Sequence, residues 1–338
     1  MSEATAVAPA AEGSAAPAAA ADANAAATGG VGATGNVVVL DGDADGGADA
    51  HRGAGTGLAA GAGGVSAVPV TGSGQAQAVA VTGHVLTGHV LDNPALGSLA
   101  GPHARFAERY GRVLRYPVDV SPWLALPDEP EDGDWADVAA LAGAGAEVAL
   151  AGFDGSLPDG WEVTFRIEGV QLVDDGLAAA PDAEAVLLGP GDVPEMLDLV
   201  ARTRPGPFLP RTVELGTYLG IRRDGALVAM AGERLHPPGW TEISAVCTDP
   251  AFRGQGLATR LILAVAHGIR ERGETPFLHT GAGNTAAVRL YESMGFRLRR
   301  RTTFLGGRVP GSWPAAAPGD RQARTGVQAS SSGRGQSL

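Results

Sequence analysis

The sequence has no lysine; all 25 of its basic residues are arginine. A Walker phosphate loop and Schiff-base lysine chemistry are therefore excluded. A single cysteine, Cys247, excludes an internal disulfide framework and a zinc site made of several thiolates. His103 has no partner at metal-ligand spacing, and no metal is expected. Aromatic residues make up 5% of the chain, and the first is Phe106. Before it the residues are mostly Ala, Gly, Val and Thr, so 1–81 cannot offset its ordering entropy and reads as a disordered arm. The closing stretch, 309–338, reads the same way. No apolar run approaches the roughly 18 residues of a membrane span. The N-terminus carries Glu3, no basic residue before Arg52 and no leucine-rich core, unlike a secretory signal. A cytoplasmic protein without membrane contact is expected.

The formal net charge is -12, unevenly spread. Between Ala183 and Arg308 sixteen arginines face twelve acids, net +4, while the remainder holds nine against twenty-five, net -16. The bulk acidity argues against nucleic-acid binding. The later segment suits an anionic ligand.

Thr82–Leu91 is a tandem five-residue duplication, TGHVL twice, too short for a solenoid and compatible with an extended strand. Residues 82–182 form an N-terminal α+β unit ending in the linker Ala178–Ala185. PHARFAERYGRVLRY has apolar positions at a helical period, WADVAALAGAG reads as a helix ended by glycine, and AEVALAGF and WEVTFRIEGVQLV read as strands. Over 183–308 the pattern sharpens into β-α-β-β-β-α-β-α-β. A hairpin turns at Arg223-Asp224-Gly225, and a helix carries Leu257, Leu261, Ile262, Val265 and Ile269 on one stripe. The first helix starts at Asp192 and ends at Gly206. A meander followed by a crossover makes a mixed sheet with helices on both faces.

Two stretches compete to define the chemistry. HTGAGNTAAVRLYESMGF contains G-x-G-x-x-A at Gly281, Gly283 and Ala286, followed by Arg299, Arg300 and Arg301. That would suit a phosphorylated dinucleotide, but such a fingerprint normally opens a doubly wound sheet, and here only one strand remains. Upstream, DPAFRGQGLA fits R-x-x-G-x-A through Arg253, Gly256 and Ala258. Glycines at 254 and 256 let successive N–H groups converge, and the helix that begins there adds free donors and its positive dipole end. A pyrophosphate would fit.

With the strand EISAVCTDP before that loop and the strand PFLHT and NTAAVRLYESMGF after it, the chain resembles the GNAT superfamily of acyl-CoA-dependent N-acyltransferases over about 184–306. The resemblance implies an α/β fold of the GNAT type, a mixed β-sheet flanked by helices. It implies coenzyme A bound by Arg253, Gly254, Gln255, Gly256, Leu257 and Ala258. It also implies pantetheine along a bulged, splayed strand at Val246, Cys247 and Thr248, and Asn284 touching the coenzyme. Acetyl-CoA is the expected cosubstrate and a small-molecule or peptide amine the acceptor, with no metal and an oligomeric state left open.

A lysine-like amine, with a pKa of about 10.4, loses its proton at neutral pH at a cost of roughly 4 to 5 kcal/mol. A base is therefore useful. Glu242, on the strand that should hold the thioester, is the first candidate, and Glu233, on its neighbour, the second; either could instead be an ion-paired carboxylate, with Arg234 or Arg260. Strand alternation puts Glu242, Ser244, Val246 and Thr248 on one face unless a bulge intervenes, and turns Cys247 away. The leaving thiolate needs a proton. Tyr291 lies two helical turns after Asn284 on the same face, and the resemblance gives it the acid role. Direct attack on the thioester is preferred to an acyl-cysteine. His279 is expected to pack or hydrogen-bond in its strand, and His236 to lie in a loop near the acceptor. The competing functional reading is a non-catalytic acyl-CoA-binding regulatory module.

Overall fold

The computed structural model describes residues 88–313, with the backbone alone of 80–81 and 84–85. The readings of the arm before residue 80, of most of the TGHVL repeat and of the tail beyond 313 lie outside the described residues. Strands β1 (Ala80–Val81) and β2 (His84–Val85) form a small antiparallel pair of their own. The chain continues through α1 (Pro94–Leu99), β3 (Glu108–Tyr110), β4 (Val113–Arg115), β5 (Trp123–Ala125), α2 (Asp132–Ala142), β6 (Glu147–Ala151) and β7 (Glu162–Asp174). It then forms β8 (Val186–Leu188), α3 (Val193–Thr203), β9 (Tyr218–Arg223), β10 (Ala226–Glu233), β11 (Trp240–Thr248), α4 (Leu257–Glu271), β12 (Thr275–Gly281), α5 (Thr285–Met294) and β13 (Phe296–Arg308).

Strands β3 to β13 make one sheet, in the order β3-β4-β5-β6-β13-β7-β12-β11-β10-β9-β8. Its pairs are antiparallel except β5 with β6 and β11 with β12. Each parallel pair is closed by a helical crossover, α2 in the first case and α4 in the second. The two halves of the chain therefore share a meander, a helical crossover and a returning strand, with β8 and α5 added in the second. Their last strands are exchanged: β7, made by the N-terminal half, pairs with β12, and β13, made by the C-terminal half, pairs with β6. The boundary expected near 182 divides the chain but not the sheet.

Helix α4 covers one face, where Leu257, Leu261, Ile262, Val265 and Ile269 pack on Val228, Ala229, Ala231, Ile243 and Val246. The opposite face is covered by α3, through Met196 and Leu199 against Tyr218, Met230 and Cys247. Further along that face α1 packs Leu96 and Leu99 against Phe277, Leu235 and Trp123. The β9–β10 turn places Asp224 and Gly225 at φ 49 and 85, the paired positive dihedrals that an Asp-Gly hairpin turn supplies.

Three local expectations are corrected. The stretch His103–Tyr116 is not a helix: a short 3-10 turn, Ala104–Phe106, leads into β3 and β4. Gly111 at φ 55 makes the turn between them, and a Cβ there would lie 1.9 Å from Asp137 Oδ2, so a tight hairpin outweighs the helical spacing of the apolar residues. Helix α3 ends at Thr203 with Arg204 in the left-handed region at φ 50, ahead of Gly206. Residues 309–313, assigned to the tail, are packed: Val309 is buried, and Trp313 meets Trp161 edge-on at 5.7 Å.

Candidate active site

Between β11 and α4 the Asp249 side chain accepts the Ala251 N–H at 3.0 Å and starts a 3-10 turn, Pro250–Phe252. Gly254 and Gly256 follow at φ 75 and 71. An added Cβ at either would meet nothing within 4 Å, so glycine is required here by backbone conformation and not by crowding. Gly256 is the N-cap of α4 and supplies no side-chain cap. Among the described residues, the N–H groups of Gly254 through Thr259 have no hydrogen-bond partner. They open beside exposed Gln255 and half-buried Arg253 and Ala258, while Leu257 anchors the helix in the core. Arg260, one turn on, grips Asp182 through two contacts of 2.7 Å and ties the linker beside the loop. The result is an electropositive cradle of backbone donors on a fixed helix end.

The neighbouring strands part at the level of this cradle. β11 pairs with β12 from Trp240–Thr275 to Ile243–Leu278 and no further, although both strands continue. β12 stays bonded to β7 on its other side as far as Gly281. β11 stays bonded to β10, with a bulge that sets Ala245 and Val246 against Ala231. Ala245 takes φ 52, a left-handed conformation unusual for alanine. A wedge thus opens between Ser244–Thr248 and His279–Gly281.

The bulge also reverses the alternation. Ile243 and Val246 both reach the α4 face, and Thr248 follows them through its pairing with Ala229. Ala245 and Cys247 reach the α3 face, which is the face of Glu242 and Ser244. Cys247 therefore shares a side with Glu242, contrary to the unbroken alternation. It is a buried thiol pushed up to about 12 by desolvation, inert as a nucleophile. The Thr248 hydroxyl is buried and without a partner.

Glu242, expected as the base, is the centre of a buried ion-pair cluster. Arg234 Nη2 and Nε donate to its two oxygens at 2.7 and 2.9 Å, and His279 Nδ1 lies 2.7 Å from Oε1. Burial alone would raise its proton affinity, but the Arg234 charge and hydrogen bonds, with His279 behind them, win and hold the carboxyl well below the usual range. A group so held cannot take a proton from an ammonium near neutral pH. Glu233 points to the other face, toward the end of α4, where Arg272 Nη2 and the Thr217 N–H hold its oxygens at 2.8 and 3.1 Å. Burial pushes its pKa up, against those two donors. The two carboxylates weighed as alternative bases lie on opposite faces of the sheet.

His279, expected to pack or hydrogen-bond in its strand, has a hydrogen-bond partner at each ring nitrogen. Its Nε2 lies 3.0 Å from Gln171 Nε2 on the adjacent β7. A bulge in β13 turns Arg299 so that Nη1 donates to Gln171 Oε1 at 2.7 Å and Nη2 to Asp92 Oδ1 at 2.7 Å. With the Gln171 oxygen so engaged, its NH2 donates to Leu91 O, at 2.8 Å, and to His279 Nε2, leaving Nδ1 as the donor to Glu242. No sequence spacing signals this relay, because it joins residues from both halves. Arg299 and Arg300 are engaged with Asp92 and so do not serve as a nucleotide clamp.

On α5, Asn284 is the N-cap and accepts the Ala287 N–H at 3.1 Å. Tyr291 is buried on the same side, edge-on to Phe296 at 6.0 Å, and desolvation pushes its phenol up to about 12. It is protonated throughout the physiological range. His103 bonds to Tyr116 Oη and Leu215 O at 3.0 Å each and stacks on His236 at 4.7 Å. Both histidines are structural in this arrangement, and the loop carrying His236 is clamped against α1. Among the described residues no cluster of His, Cys, Asp and Glu could hold a metal, and no helix is long and apolar enough to cross a membrane.

The site thus combines a wedge between two strands of the mixed sheet with a helix end that has no side-chain cap. The model of the FR47-like protein family matches residues 218–305. The chain is 39% identical over 90 residues to the N-alpha-acetyltransferase RimI of Mycobacterium tuberculosis, covering 25% of this chain and 56% of that protein. It is likewise 39% identical over 82 residues to the mycothiol acetyltransferase of Thermomonospora curvata, covering 24% of this chain and 27% of that protein. The chain thus spans only about a quarter to a half of these curated relatives. A solved structure of a GNAT-family acetyltransferase from Novosphingobium aromaticivorans shares 39% identity with a TM-score of 0.60, covering 65% of this chain and 98% of that one. A match of that extent, about 220 residues, must take in both halves of the sheet. The chain belongs to the GNAT family.

Proposed function

We propose that the protein transfers an acetyl group from acetyl-CoA to an amine by direct attack within a ternary complex. The observation that carries this reading is the run of free N–H groups from Gly254 to Thr259 beside the β11–β12 wedge. The diphosphate of the coenzyme lies on those amides, with Arg253, Gln255 and Ala258 around it. Pantetheine enters the wedge along Val246, Cys247 and Thr248, using backbone groups of β11 that β12 has released, and Asn284 borders it from the start of α5. The thioester oxygen meets the backbone N–H groups at the bulge, which suit a developing oxyanion.

The amine nitrogen bonds to the acetyl carbon, the carbon–sulfur bond breaks, and the Tyr291 phenol gives its proton to the leaving thiolate. The nitrogen releases one proton, which returns the phenol to its starting state through solvent. Neither Glu242 nor Glu233 is assigned as base. The amine is taken up in its neutral form, and Glu242 with Arg234 and His279 sets the geometry of the wedge.

The names of the relatives point to an α-amine in one case and to mycothiol in the other, so the acceptor panel should include peptide α-amines and small-molecule amines. The reading places the reaction in the cytoplasm. Calorimetry with coenzyme A, and free-thiol release from acetyl-CoA across alaninamide, an alanine-initiated peptide, spermidine and glucosamine, test it. Saturable coenzyme binding with amine-dependent thiol release is the expected result. Binding without release on any amine would favour the non-catalytic coenzyme-binding module, and no binding would overturn both.

A further inference from the structure

Burial along β11 is broken at one place. From Thr241 to Thr248 every residue is buried except Ser244, which is half-buried. On β12, Pro276, Phe277 and Leu278 are buried, and exposure returns at His279 and Thr280. The His279 ring itself is covered, at 3%, so what opens there is backbone. Ser244 and His279 are the first residues beyond Ile243–Leu278, the last pair that joins the two strands. Solvent therefore reaches the wedge at its narrow end, and Ser244 is the side chain that meets it there. Its hydroxyl has no hydrogen-bond partner among the described residues and, unlike that of Thr248, is not sealed from solvent.

The opening has a side. On the α4 face, Ile243, Val246 and Leu278 pack with Leu261, Ala287 and Tyr291, so α4 and α5 close it. On the opposite face α3 covers Ala245 and Cys247, and α1 covers Phe277. Ser244 lies on that opposite face, open where Glu242 and Cys247 to either side are fully covered. Tyr291 stands on the closed face. The thioester is thus flanked by the acid on one side and by the Ser244 opening on the other, which is the side left for a nucleophile.

We infer that Ser244 touches the acceptor: its Oγ accepts a hydrogen bond from the amine N–H and orients the nitrogen lone pair toward the thioester carbon. This rests on the acetyl-CoA reading above. A serine oxygen offers two lone pairs and stays protonated, so the group positions the amine and takes no proton from it.

The test compares the full chain with S244A and S244T, using whichever of the four panel amines the wild type acetylates fastest. S244A should lower kcat/KM for the amine about five- to tenfold, the worth of one hydrogen bond. S244T, which keeps the hydroxyl, should stay within about twofold of the wild type, as should the Kd for coenzyme A and the KM for acetyl-CoA in both variants. A change of less than about twofold in S244A would overturn the inference. So would an S244T as slow as S244A, or a matching loss of coenzyme affinity, since either would make Ser244 a packing residue of the wedge. A wild type that binds the coenzyme but acetylates none of the amines would overturn it as well. A wild type that does not bind coenzyme A refutes the acetyl-CoA reading and this inference with it, and calorimetry tells that failure from the others.

Discussion

The two halves of the sheet share a meander and a helical crossover but carry opposite electrostatics at the start of the crossover helix. In the C-terminal half, β11 leads through a glycine loop into α4, whose first N–H groups are free. In the N-terminal half, β5 leads through residues 126–131 into α2. That loop has no glycine and carries Asp128, Glu129 and Glu131. The Asp134 carboxylate takes the Glu131 N–H at 2.8 Å, and Arg112 Nη2 reaches the Glu129 carbonyl at 3.1 Å. An anion arriving at α2 would meet the chain's own carboxylates; one arriving at α4 would meet donors. Connectivity makes a crossover, but the composition of about six residues decides whether it holds a ligand.

The contrast is sharpest in how each half uses its ion pairs. Glu242→Ala should destabilise the protein by about 3 to 5 kcal/mol, because Arg234 is left buried without its counter-charge. Glu131→Ala should cost about 0 to 1 kcal/mol, since its pair with Arg112 is 31% and 61% exposed. Urea titrations of both variants measure the difference, and equal losses would erase the distinction. Next in size, Tyr291→Phe should lower kcat by about 100-fold with coenzyme affinity unchanged. With its phenol at about 12, Tyr291 should leave the alkaline side of the kcat profile flat to about pH 10. Equal loss of binding and turnover would remove its acid role. Gly256→Asp should weaken coenzyme A about tenfold or more by calorimetry, placing in the α4 loop the kind of charge that the α2 loop already has. A neutral change at Glu131 should leave that affinity alone.

The histidines at the seam between the halves give a smaller, pH-dependent term. Burial lowers His103 to about 3 and His236 to about 4. Groups with depressed folded pKa values contribute stability that is present above the unfolded value of about 6.5 and is lost as pH falls through the folded values. Tm should therefore drop between about pH 6.5 and 4, and His236→Gln should flatten that drop. Smallest of all, Ala245→Gly should raise stability by about 1 kcal/mol through relief of the left-handed strain. A loss there would mean that the bulge is held by something other than backbone preference.

Most of the C-terminal half was legible in the sequence, because its signals are local: the Asp224-Gly225 turn, the apolar stripe of α4, and the paired glycines before it. The reading failed where structure depends on distant residues. The Ala245 bulge has no composition of its own and reversed the faces of Val246 and Cys247. Arg234 could be weighed as a partner of Glu242, but His279, Gln171 and Arg299 come from three other strands. Gly111 makes its turn against Asp137, which no window around residue 111 contains. The Tyr218 ring finds room over β10 only because Gly232, fourteen residues later in the sequence, is bare.

The exchange of β7 and β13 sets a timetable for synthesis. The N-terminal half is translated in full by Asp174, but the edge of β6 waits for β13, the last of the described strands to leave the ribosome. Until Arg308 has emerged, the nascent chain carries open hydrogen-bonding edges on β6 and β7 at once, the condition under which strands pair with the wrong partner. Neither half can finish ahead of the other, so a truncated copy of either is an incomplete sheet and not a smaller version of the protein.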